Sequence, residues 1–157
     1  MVMKLVHLVI VLYIDGTAAD SSFLTSSGAN AVPSNLLNIS MQITDYGSIS
    51  WIVPIGTYVH KNGAYSKLTG GHVLSNVASM QISYANNTVV YRLHDMTRAN
   101  FYSEPGDSGG PVFVIDTSTN VARIVGVHTA RNTINVYDTT FSKYSNIAYM
   151  MNIVILR

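Results

Sequence analysis

Gly106-Asp107-Ser108-Gly109-Gly110-Pro111, preceded by Glu104-Pro105 and followed by the apolar run Val112-Phe113-Val114-Ile115, is the most informative segment of the chain. A serine that attacks a carbonyl must stand on a tight turn whose own N–H groups face the charge developing on the carbonyl oxygen. Glycines permit both that turn and the close approach of a substrate. Ser108 is the candidate nucleophile, and the N–H groups of Gly106 and Ser108 are the expected donors. The adjacent aspartate is expected to turn inward onto a buried cation or amine and lock the turn. Pro111 ends the turn, and the β-prone run re-enters a sheet.

Outward from the motif, composition fits a strand-rich domain. The chain has 157 residues, one domain by length, with 48% hydrophobic and only 11% charged residues. Its β-branched and small polar residues favour strands and turns, so the class is all-β or nearly so. A net charge of +1 gives no electrostatic reason to expect nucleic acid as a partner. Absence of cysteine excludes disulfides, a thiol nucleophile and thiolate metal sites. The histidines lack ligand spacing, so no metal and no cofactor is expected.

Leu5 to Ile14 is apolar, follows Lys4 and precedes Thr17-Ala18-Ala19. This is the layout of a short secretory leader cleaved after Ala19, and equally that of a first buried strand. The run is too short to span a bilayer as a helix, and no membrane association is expected. Further strands are expected at Leu37 to Ile43, Ser48 to Pro54, Gly56 to Lys61, Ala78 to Tyr84, Thr88 to Leu93, Val112 to Ile115, Val121 to His128 and Ile134 to Tyr137. Turns are expected at Lys61-Asn62-Gly63, Ala85-Asn86-Asn87 and Asp116 to Asn120. Helical spacing of Tyr144, Ile147, Ala148 and Met151 predicts a short C-terminal helix between Ser142 and Ile153.

The Ser108 segment resembles the active-site loop of the chymotrypsin family of serine proteases. The likeness runs from about Thr44 to the C-terminus and is nearest to the secreted bacterial streptogrisin and alpha-lytic-type branch. Three blocks carry it: Thr44 to Ile49, His60 to Val73, and Ser103 through Gly126-Val127-His128-Thr129. The resemblance implies an all-β fold, a chymotrypsin-like double antiparallel β-barrel with an abbreviated N-terminal barrel and a short C-terminal helix. Residues 1–19 would be leader or first strand, 20–55 the remnant of the first barrel, and 56–157 the second barrel. It also implies that Asp45 is the carboxylate orienting a catalytic histidine. Relatives carry two cysteines in the His60 to Val73 block; here both are replaced, so packing must hold that loop.

The family places its general base at the end of a Thr-Ala-Ala-His segment, and this chain reads Thr17-Ala18-Ala19-Asp20. Serine needs such a base to take its proton. Asp20 holds the expected position and His7 is the other upstream candidate, whereas His60, His72, His94 and His128 all follow Asp45. On the substrate side, Thr129, Ala130 and Arg131 map to the wall of the primary pocket. His128 maps to the histidine with which glutamyl endopeptidases meet a substrate carboxylate; a histidine satisfied within the core is the alternative. The resemblance thus implies a secreted, monomeric serine endopeptidase acting on peptide or protein, with a preference for Glu. The other reading is an inactive protease-like module that binds peptide or protein in the old cleft.

Overall fold

The structure, a computed structural model, describes residues 6–12, 20–26, 42–45, 52–84, 89–119 and 121–151. It is built of strands with one C-terminal helix. The strands are β1 (Val6–Leu12), β2 (Asp20–Ser26), β3 (Gln42–Asp45), β4 (Tyr58–Gly63), β5 (Lys67–Tyr84), β6 (Val89–Ala99), β7 (Pro111–Asp116), β8 (Val121–Arg131) and β9 (Thr139–Lys143), and the helix is α1 (Tyr144–Met151).

Where a double barrel with an abbreviated first barrel was expected, the described strands make one seven-stranded sheet, in the order β3-β8-β7-β4-β5-β6-β9, and a separate two-stranded sheet, β1-β2. An additional β8–β9 pairing brings the end of the strand order back to β8. β3 and β9 share β8: β3 lies parallel along Val121 to Ile124, and β9 lies antiparallel along Gly126 to Arg131. The segment assigned to an abbreviated first barrel therefore contributes β3 to the same sheet as the Ser108 half.

Strand alternation builds the core. In β4, Val59, Lys61 and Gly63 are buried, while Tyr58 is exposed and His60 and Asn62 are half-buried. Val59 joins Val53, Val73, Ala99, Phe101, Val112, Val114, Val125 and Phe141 in one apolar cluster. Phe113, on the opposite face of β7, packs with Ala122, Ile115 and Ile124. In α1, Tyr144 and Ala148 fall on one face and close over Ile124.

Four expectations are corrected. Lys61 to Gly63 is not a turn; it completes β4, and the turn falls at residues 64–66, because distant side chains claim this hairpin, as shown below. Ile134 to Tyr137 is not a strand. The Asn132 side-chain oxygen accepts from the N–H of Ile134 (2.8 Å), and that of Asn135 accepts from Tyr137 (3.0 Å), so local side-chain bonds replace a ladder. The strand begins later, at Thr139, and takes in Ser142 and Lys143, so α1 starts at Tyr144. Residues 52–54 lie outside any strand. The turn expected at Ala85-Asn86-Asn87 and residues 37–41 and 48–51 of two expected strands lie outside the described residues.

Candidate active site

Ser108 stands half-buried on the turn between Phe101 and β7. The turn is tied to β8 by its backbone: the Gly109 N–H donates to the His128 carbonyl (2.8 Å), and the His128 N–H donates to the Gly110 carbonyl (2.8 Å). The Asp107 and Gly110 N–H groups are used within the turn, on Glu104 and Asp107 carbonyls. The N–H groups of Gly106 and Ser108 make no backbone–backbone bond among the described residues. They are the two donors that the sequence singled out. Gly106 has φ +92, a conformation that a side chain would strain.

Asp107 faces inward and is fully buried, as is its partner Lys61. One carboxylate oxygen accepts from Lys61 Nζ (2.5 Å), the Ser66 hydroxyl (2.5 Å) and the Glu104 N–H (2.9 Å). The other accepts from the N–H groups of Tyr65 (2.9 Å) and Ser66 (3.1 Å). Burial alone would push this carboxyl up. The backbone N–H of Glu104, Lys61, Ser66 and the Tyr65 N–H outweigh it and hold Asp107 well below the usual carboxylate range. Burial pulls the Lys61 ammonium down, opposed by its bond and charge attraction to Asp107. This network explains why β4 runs on through Gly63: Lys61 must reach the carboxylate, and any side chain on Gly63 would occupy the space of the Asp107 carboxylate.

The sequence calls for a buried cation or amine behind Asp107; the structure identifies it as Lys61 and adds Ser66 and Ser103 as further partners. A lysine at the period-two spacing of Val59 and Gly63, on the buried side of a strand, was the available signal.

Beneath Ser108, His128 is 1% exposed and both of its ring nitrogens have partners. Nδ1 lies 3.2 Å from the Thr140 carbonyl and Nε2 lies 2.7 Å from the Ser103 hydroxyl. The carbonyl can only accept, so Nδ1 carries the proton and Nε2 accepts from Ser103. Burial, reinforced by the charge of Lys61, pushes His128 down to about 4, and the ring is neutral at pH 7. The edge of the ring meets Phe101, with centroids 5.5 Å apart. Thr129 bonds through its hydroxyl to Ser142 Oγ (3.0 Å), and the Arg131 guanidinium donates to the Asn132 carbonyl (3.2 Å). Ala130 and Arg131 pair with Thr140 and Thr139 of β9. The opposite edge of β8 has lost β7 after Val127 and carries no strand partner beyond it among the described residues.

The Ser108 hydroxyl donates to the Thr129 carbonyl at 2.9 Å. A carbonyl oxygen cannot remove that proton, so this bond positions the serine without activating it. Among the described side chains His94 bonds Ser79, His128 bonds Ser103, and His60 and His72 pack against Tyr58. None of them bonds Ser108. The other candidates are placed by backbone only: His7 opposite Thr25, Asp20 opposite Leu12, and Asp45 beside Ile124. Ile124 is roughly 16 Å along β8 from Thr129 at strand spacing.

A match to the immunoglobulin A1 protease family, peptidase family S6, covers residues 46–150. The chain belongs to that family. Solved structures agree on the fold, which is that of chymotrypsin-clan serine proteases. A glutamic acid-specific serine protease described as using a histidine triad in substrate binding is 22% identical, with TM-score 0.57 over 83% of this chain and 62% of that one. The Cellulomonas bogoriensis chymotrypsin is 18% identical, with TM-score 0.56 over 87% and 70% of the two chains. Thermobifida fusca protease A is 20% identical, with TM-score 0.54 over 74% and 55%. The chain thus spans little more than half the length of some of the structures it matches. No helix among the described residues is long and apolar enough to cross a membrane.

Proposed function

We propose that this chain carries the nucleophile half of a serine endopeptidase. The observation that carries the reading is the Gly106 to Gly110 turn, fixed from behind by the buried Asp107–Lys61 pair with two N–H groups left unspent at Ser108. A peptide strand paired with the free edge of β8 at Thr129 to Arg131 would present its carbonyl to Ser108. Ser108 Oγ then bonds to the carbonyl carbon while its proton passes to a base, and the Gly106 and Ser108 N–H groups hold the oxyanion. The carbon–nitrogen bond breaks as the amine takes that proton, and water releases the acyl group. In this scheme the base is His7 or the group at the Asp20 position and Asp45 is its orienting carboxylate, which requires Asp45, now beside Ile124, to approach the Ser108 turn. The chain falls in the secreted streptogrisin-like branch and acts outside the cell as a monomer. A fluorophosphonate probe tests this: the wild type should label at Ser108 and Ser108→Ala should not. Failure of the folded wild type to label removes the catalytic reading.

A second reading rests on the Ser108–Thr129 bond. A serine whose proton rests on a carbonyl, with no described imidazole bonded to it, suits a peptide-binding module that has lost catalysis.

Either reading includes a preference for Glu at the Ser103–His128 pair. A carboxylate there needs a proton on Nε2, which now accepts from Ser103, so His128 must gain a charge to hold Glu. The Glu preference over Gln should therefore fade as pH rises and vanish in His128→Ala. Equal binding of Glu and Gln peptides by the wild type excludes it.

A further inference from the structure

The Ser108 turn is gripped on two flanks. Ser108, Gly109 and Gly110 bond β8, whereas Gly106 and Asp107 meet the hairpin turn between β4 and β5. On that second flank lies Tyr65. Its N–H is fixed by Asp107, and its ring lies so near Gly106 that any side chain there would collide with Cε2 and Cδ2. An aromatic ring held this firmly beside the oxyanion donors is nonetheless 67% exposed. The core gains little from it, and its outer face is open beside the reacting centre.

On the peptide-cleft reading, a peptide paired with β8 would reach Ser108 from the Thr129 side and continue past it over Gly106. Resting on the peptide-cleft reading above, we infer that Tyr65 forms a subsite for the residue following the cleaved bond, taking an aromatic side chain against its ring. The chemistry is ring-on-ring packing, which favours Phe or Tyr over Gly at that position by several-fold, on the order of five. Because the Tyr65 backbone is bonded to Asp107, the subsite keeps a fixed distance from the oxyanion donors.

The test uses Ser108→Ala protein, which binds without turnover, and two peptides differing only in Phe or Gly after the scissile position. Titration calorimetry should give about fivefold tighter binding of the Phe peptide. In the Ser108→Ala background, Tyr65→Ala should bring the two peptides to parity, and Tyr65→Phe should restore the difference. A preference that survives Tyr65→Ala overturns the inference, as does an equal weakening of both peptides, which would make Tyr65 only a buttress of Gly106. Absence of binding by either peptide overturns it too. Fluorophosphonate labelling of the wild type judges the catalytic reading separately, so a labelled Ser108 with no Phe preference removes the subsite alone.

Discussion

Asp107 fastens the turn that carries Ser108, and Asp138 fastens the loop that follows β8. The two are held in different media. Asp107 and Lys61 are both wholly removed from solvent, and the carboxylate oxygens are surrounded by protein donors. Asp138 takes a two-pronged contact from Arg98, at 2.6 and 3.1 Å, with the aspartate 20% and the arginine 47% exposed. Water can replace Arg98 if it leaves; nothing can replace Lys61. The turn is thus set in one geometry, while the loop bearing exposed Ile134 and Tyr137 is only fastened at its edge. The oxyanion site proposed for the turn needs the first kind of support.

The largest effect is expected from Lys61→Met, which keeps the stem and strands the Asp107 charge in the interior. A loss of about 3–5 kcal/mol in denaturant unfolding is expected, together with collapse of fluorophosphonate labelling. A variant as stable and as reactive as the wild type would erase the contrast between the two aspartates.

His128, behind the same turn, sharpens it through pH. Its folded value of about 4 lies below the ordinary 6.5, so as pH falls the unfolded chain takes the proton first. The stability contributed by neutral His128 is complete above about 6.5 and is lost progressively toward pH 4, by about 3 kcal/mol. Unfolding curves at pH 7 and 4.5 measure this, and His128→Gln should flatten the slope across that window. An unchanged slope in that variant would refute the buried neutral ring.

The smallest change belongs to Arg98→Ala. An exposed pair of this kind contributes within about 1 kcal/mol, so the melting temperature should barely move. Faster hydrogen exchange at the Asn132 N–H, which bonds the Asp138 carbonyl at 2.7 Å, is the expected local sign. A loss comparable to that of Lys61→Met would show that the loop is as rigidly built as the turn.

Residues 104–115 were legible because a tight glycine turn is a local object: its glycines, proline and β-branched run act on their own backbone. The same holds for Tyr144, Ile147 and Ala148, whose spacing alone marks a helix face. Lys61-Asn62-Gly63 shows where local reading stops. Those residues have the composition of a turn, yet they extend as strand because a carboxylate 46 positions away draws Lys61 inward and claims the N–H groups of Tyr65 and Ser66. His128 could be flagged as either pocket or core residue from its neighbours, and only the fold set Ser103 and the Thr140 carbonyl on its two nitrogens. The strand-rich class, the turn and its serine can be read from the amino-acid order, since they follow from backbone preferences and side-chain period. The tertiary structure alone decided which amine locks Asp107, what accepts the Ser108 proton and whether His128 is charged, because each depends on groups that only packing brings within bonding distance.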